Sequence, residues 1–187
     1  MKASELAKFN GSTVDDLIDD RTRLLFVGIN PGLWTAAVNA HFARPGNRFW
    51  PAIHRAGIIP RPVDASRGMS PDDAEMVLAA GIGITNLVHT ATARADELTA
   101  AELRAGATAL ADTVERVRPA VVAMLGLTAY RQAFQRPATR SGRQDVQLAG
   151  AELWVLPNPS GLNAHETVET LATAYREAAV AAGVILT

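Results

Sequence analysis

Two stretches leave polar side chains where apolar strands stop. The first reads Leu24-Leu25-Phe26-Val27-Gly28-Ile29-Asn30-Pro31-Gly32. Its opening run of β-capable apolar residues is that of a buried strand. Gly28 admits a close backbone approach, Pro31 removes a donor and Gly32 permits a tight bend, so the strand ends here. Asn30 is then the one polar side chain at the carboxyl end, where open α/β sheets bind ligands. The second stretch runs from Leu153-Trp154-Val155-Leu156 into Asn158-Pro159-Ser160-Gly161-Leu162-Asn163. In a parallel sheet both loops emerge on one edge, so a single site built from both is expected. Two chemistries suit these residues. A neutral amide is a poor general base and acts by positioning a reactant. A serine can act as a nucleophile, but Ser160 lacks the Gly-x-Ser-x-Gly elbow and has no obvious histidine partner.

Composition removes other classes. With no cysteine in 187 residues, disulfides, iron–sulfur clusters and thiolate catalysis are excluded. The four histidines, His41, His54, His89 and His165, show no His-Glu-x-x-His pairing, so a metal site has no support. No apolar run reaches the length of a membrane span, and residues 1–10 lack a signal-peptide core, so a cytoplasmic setting without membrane is expected. Net charge is −1, but the charges segregate. Arginines 44, 48, 55, 61 and 67 face one acid, Asp64, and arginines 131, 136, 140 and 143 face none. They form either one basic face or a set of solvated loop side chains.

The elements that must position Asn30 and the Asn158 loop follow from pattern. Residues 1–20 read as an N-terminal extension, with Ser12 or Thr13 capping a short helix through Asp20. Strands are expected over 24–30, 81–88, 120–126 and 152–157, the last in a hairpin with 146–149 turning at Gly150. Residues 33–47 read as a long loop, and 58–70 as a linker within the domain. Helices are expected over 48–57, from Ser70 to about 80, from a Thr99/Glu102 capping box to about 118, over 128–134 and over 164–182. In the fourth of these spans' predecessor, the 99–118 helix, Leu103, Leu110, Val114 and Val117 form the buried stripe. Strands alternating with helices give one α/β domain over residues 1–187, a three-layer α/β/α sandwich around a mostly parallel sheet of about four to five strands.

The ordered set Gly28-Ile29-Asn30-Pro31-Gly32, Asn47-Arg48-Phe49-Trp50, the 81–88 strand and Asn158-Pro159-Ser160-Gly161-Leu162 resembles the mismatch-specific uracil-DNA glycosylase and thymine-DNA glycosylase family, over about residues 24–178. The resemblance implies a uracil-DNA glycosylase-like fold and a monofunctional enzyme of base excision repair. Such an enzyme flips uracil out of a duplex, with guanine–uracil mispairs as the leading substrate and thymine or ethenocytosine also open. It then hydrolyses the N-glycosidic bond and leaves an abasic site. It implies no cofactor and no metal, a monomer, and a partner of double-stranded DNA carrying a mispaired or damaged pyrimidine.

Residue by residue, Asn30 matches the catalytic asparagine that orients the attacking water. No carboxylate stands there, which implies slow turnover. Phe42 matches the aromatic that stacks on the flipped base; Gly28, Ile29 and Gly32 line the pocket; Asn86 resembles an asparagine set against the pyrimidine edge. Leu162 would be the wedge that fills the vacated space. Gly161 would let the backbone approach the opposite guanine, Ser160 would contact a phosphate or the opposite backbone, and Asn158 and Asn163 complete the loop. Asn163-Ala164 stands where a Ser-Arg pair is expected, with His165 replacing the arginine or capping the last helix. His41 would sit at the pocket mouth, near a phosphate, or as a solvated loop residue. Arg48 would tether the loop, and Trp34 would narrow the pocket or pack. Two other readings stay open: a DNA-binding relative without chemistry, and a serine-type hydrolase using Ser160.

Overall fold

The computed structural model describes residues 1–186. Five strands form one sheet: β1 (Leu24–Gly28), β2 (Ile82–Asn86), β3 (Val121–Leu125), β4 (Gly142–Leu148) and β5 (Ala151–Leu156), in the order β2-β1-β3-β5-β4. The first four in that order run parallel and β4 pairs antiparallel with β5. Strands β1, β2 and β3 are buried at every position, as expected of a sheet covered on both sides.

Alternation sends the two faces into different cores. Leu24, Phe26, Ile82, Ile84, Val121 and Ala123 pack under α3 (Phe49–Arg55), α4 (Pro71–Ala79) and α7 (Val168–Ala181). Leu25, Val27, Val122, Met124 and Val155 pack under α5 (Ala100–Val117) and α6 (Leu127–Ala133). The three-layer sandwich read from the sequence is therefore present. The Ser70 cap and the Thr99/Glu102 capping box open α4 and α5 as read.

Five local readings are corrected. Residues 12–20 are not helical. The helical turns lie earlier, in α1 (Ala3–Leu6) and a short 3-10 turn, Ala7–Phe9. The 12–20 segment is instead a strap along the sheet edge, where Leu17 and Ile84 exchange backbone hydrogen bonds of 3.0 and 2.8 Å. An open edge strand offers unpaired donors and acceptors, and the strap satisfies those of Ile84. The expected loop 33–47 contains a helix, α2 (Leu33–Val38), ended by Asn39 in the left-handed conformation. Six residues are too few for periodicity to reveal. Val117 is half-buried, and Gly106 and Ala107 join the buried stripe of α5 instead. A Cβ on Gly106 would lie 2.4 Å from the Leu87 carbonyl, so the helix docks flush against the chain leaving β2. Strand β4 starts at Gly142 rather than 146. Helix α7 starts at Val168 behind a Thr167 cap, so residues 164–167 remain loop and His165 caps nothing.

Candidate functional site

A cleft of about 160 Å³ opens at the carboxyl edge of β1, β2, β3 and β5. Gly28, Ile29, Asn30, Gly32, Phe42, Asn86, Asn158 and Ser160 all line it, as does His41. Both Asn-Pro loops thus meet at one site, as the parallel topology requires.

The β1 loop is laced to the chain that follows β2. Leu87 N donates to Gly28 O at 2.8 Å, Val88 N to Ile29 O at 2.9 Å and Thr92 N to Pro31 O at 3.2 Å. On this base the Asn30 side chain has one permitted orientation. Its Nδ2 donates to Thr90 O at 3.0 Å and to Thr92 Oγ1 at 2.8 Å. The Thr92 hydroxyl gives its own proton to Arg94 O at 2.8 Å, so towards Asn30 it can only accept. The amide nitrogen is therefore held, and among the described residues nothing donates to Oδ1. That oxygen keeps its acceptor capacity, and Asn30 lines the cleft. Thr92 was not legible as a site residue, because a partner sixty-two positions away leaves no local pattern. Thr35, buried on α2 and also lining the cleft, was missed because its helix lies in the span read as a loop.

Gly28 has a steric rather than a conformational role. A Cβ there would lie 2.6 Å from Asn86 Oδ1 and 3.4 Å from Phe42 Cζ. Register places Gly28 opposite Asn86 on the adjacent strand, so the missing side chain makes the floor of the cleft. Phe42 holds a left-handed backbone, φ 54°, and stacks on Phe49 with ring centroids 4.0 Å apart. One face of the Phe42 ring is thereby covered. The strained backbone is held by packing around it, as at ligand-binding positions generally. Gly32 is the N-cap of α2 with φ −77°, so it lines the cleft without needing glycine's backbone freedom.

His41 departs from its expected place. It is 4% exposed, so it is not a solvated loop residue. Its Nε2 lies 2.9 Å from Asp15 O and its Nδ1 3.4 Å from Asn86 Nδ2. Burial, chiefly, holds its pKa below the ordinary histidine value. Trp34 packs on the core and donates Nε1 to Ser66 O at 3.0 Å; it is not part of the cleft wall.

The β5 loop has a different construction. Asn158 Oδ1 accepts from Ser160 N at 2.8 Å, and Asn163 Nδ2 donates to Asn158 O at 3.1 Å. Ser160 Oγ accepts from Leu162 N at 3.3 Å; among the described residues it has no imidazole partner, so the serine-hydrolase reading has no base. Arg48 tethers the loop as read. Its guanidinium donates to Asn163 O at 2.9 Å and to Ser160 O and Gly161 O at 3.3 Å, and its backbone N donates to Pro159 O at 2.9 Å. Gly161 has an internal reason to be glycine that the sequence reading lacked: a Cβ would lie 2.6 Å from Gly46 O. Leu162 projects from this tethered base and is 78% exposed. His165 is exposed outside the cleft, on a neighbouring hollow with Thr128, Ser141 and Glu166.

Several of the arginines in the two groups are engaged within the chain. Arg48 and Arg131 donate to backbone carbonyls, and Arg61 and Arg143 pair with Asp73 and Glu152. Arg44 remains exposed on the rim of the cleft. Among the described residues no three His, Cys, Asp or Glu side chains converge as a metal site needs.

Residues 16–181 match the family model described as the uracil DNA glycosylase superfamily. The fold is similar to the solution NMR structure of a proposed uracil DNA glycosylase from Methanosarcina acetivorans. The TM-score is 0.61 at 16% identity, over 89% of this chain and 97% of that one.

Proposed function

We propose, because the chain belongs to the uracil DNA glycosylase superfamily, that it is a monofunctional, mispair-directed DNA glycosylase acting on uracil opposite guanine. Membership itself supports a DNA glycosylase role with DNA as the partner; the mispair preference and the residue roles are our reading. The observation that carries it is the fixed amide of Asn30, a residue that lines the cleft with Phe42 and Asn86 and whose Oδ1 accepts from no group among the described residues.

In this reading the uracil base enters the cleft, with Phe42 against its face and Asn86 at its edge. Asn30 Oδ1 accepts a hydrogen bond from a water and aims its oxygen at the sugar carbon. The carbon–nitrogen bond breaks as the base leaves with the bonding pair, and the water oxygen forms the new bond to carbon. The water's proton passes to solvent and the base takes up a proton in turn. An amide cannot accept that proton, so the acceleration comes from position and from donors to the departing base. Thymine shares uracil's imide edge and differs by a methyl group, so it and ethenocytosine are tested beside uracil. Lys2 and Lys8, the only lysines, lie outside the cleft lining, which supports hydrolysis over Schiff-base chemistry. Leu162 stands ready as the wedge that occupies the space of the flipped base.

The test is single-turnover excision from a duplex with one guanine–uracil pair, read as strand breaks after hot alkali, beside an adenine–uracil pair. Faster cleavage of the mispair, lost in Asn30→Ala with duplex affinity retained, is the expected result. Mispair binding without breaks in any uracil, thymine or ethenocytosine duplex would replace the enzyme with a binding protein.

A further inference from the structure

His41 forms part of a chain of fixed groups that ends at the base pocket. Its peptide carbonyl accepts from Trp50 Nε1 at 3.0 Å, which holds the backbone. Its ring meets the strap: Nε2 lies 2.9 Å from Asp15 O. A carbonyl only accepts, so Nε2 must carry the hydrogen. Asp15 is pinned in turn, since its N donates to Asn39 Oδ1 at 3.1 Å and its carboxylate accepts from Asn39 Nδ2 at 2.8 Å. The neutral ring then has a lone pair at Nδ1, and Asn86 Nδ2 is 3.4 Å away. A lone pair there accepts an N–H and repels a carbonyl oxygen. Asn86 therefore turns its nitrogen to His41 and its Oδ1 over Gly28, into the cleft.

We propose that His41 is a positioning residue that sets which pyrimidine edge the pocket accepts, by holding the Asn86 amide with its oxygen towards the base. This rests on the reading of Asn86 as the group that meets the pyrimidine edge. Uracil and thymine carry a hydrogen on N3 beside a carbonyl. Cytosine has a lone pair on N3 beside an amino group. A fixed Oδ1, with the second Nδ2 hydrogen next to it, matches the first pattern and sets lone pair against lone pair in the second. Without the clamp the amide is free to rotate, and either edge finds a match. The clamp thus protects cytosine, the ordinary partner of guanine, from a pocket that receives pyrimidines. Rejection by an unpaired buried polar group is the strongest discrimination a pocket can build.

The groups facing the ring are the Asp15 carbonyl and carboxylate, the Asp16 carboxylate, His89, Asn86 and Phe42. None except the Asp15 carbonyl lies on the Nε2 hydrogen, so the tautomer has one determinant.

Two measurements test this. Two-dimensional nitrogen NMR of the imidazole rings should find His41 neutral with its hydrogen on Nε2 at neutral pH; a hydrogen on Nδ1 overturns the proposal. Single-turnover excision of uracil and of cytosine, each placed opposite a stable abasic analogue so that neither is paired, gives a selectivity ratio free of pairing strength. That ratio should fall at least about tenfold in His41→Leu, the scale of one lost hydrogen bond. In an Asn86→Ala background the same substitution should leave the ratio unmoved. An unchanged ratio in His41→Leu, or an equal fall without Asn86, overturns it. The NMR arm does not depend on catalysis. A parent protein that excises no uracil therefore sinks the functional reading, while the orientation of Asn86 is still decided.

Discussion

The two loops that meet at the cleft begin with the same dipeptide and use it in opposite ways. In the β1 loop the Asn30 nitrogen is tied outward, to Thr90 and Thr92 of another segment, and its oxygen is left free. In the β5 loop the Asn158 oxygen is tied inward, to Ser160 N two residues on, and builds the turn. One asparagine offers an acceptor; the other consumes its own. The difference shows that an Asn-Pro motif marks the end of a strand without saying what the amide does. The partner of the side chain decides that, and only the folded chain supplies the partner.

The sharpest way to break the comparison is to remove each amide. Asn30→Ala should lower single-turnover excision by about 10²–10³-fold with little change in duplex affinity, the scale seen when one positioned transition-state group is lost. Asn158→Ala should do the reverse, weakening affinity through a loosened loop while bound complexes still react. If both variants lose rate and keep affinity, the two asparagines do the same work and the comparison fails. Next in size is Arg48→Ala. It frees three carbonyls from one guanidinium and should cost about 2 kcal/mol of stability, read as a fall in melting temperature, together with weaker binding of a mispaired duplex. Arg48→Lys should recover only part of this, because the donors of an ammonium radiate from one nitrogen, whereas these three carbonyls are reached from two.

A smaller change sharpens the β1 side alone. Thr92→Val keeps the shape and removes the acceptor that orients Asn30, so excision should fall about tenfold, and Thr92→Ser should restore it. The smallest effect concerns His41. Its folded pKa lies below the unfolded value of 6.5, so the unfolded chain binds the proton more readily. The resulting stability is complete above about pH 6.5 and is lost as pH falls through the depressed folded value. Melting curves of the parent and His41→Leu should therefore differ in slope against pH below 6.5 and run parallel above it.

These tests separate what the sequence displayed from what it hid. The sandwich was legible because burial on both faces writes continuous apolar runs into Leu24–Gly28 and Val121–Leu125, and capping residues write the starts of α4 and α5. Arg48 as a tether was read from the family resemblance, not from a local pattern. Thr92, the strap and the burial of His41 were not legible. Each depends on a pairing between distant segments: Asn30 with Thr92, Leu17 with Ile84, His41 with Asp15. Polar residues in such roles look like ordinary loop residues, since nothing in their neighbours' spacing marks a remote partner. Gly161 shows the same limit: a Cβ there would meet Gly46 O, a reason to be glycine that no local spacing displays.

Leu162 has a consequence for time rather than energy. It already projects 78% exposed from a base that Arg48 and Gly46 hold in place. No opening step has to precede contact. If Leu162 is the wedge of the proposed function, a protein moving along a duplex with that side chain already exposed would test each base step as it passes, and the weakest stack would yield first. On that reading search speed would be set by how fast the protein travels, and the decision to stop would be made by the DNA.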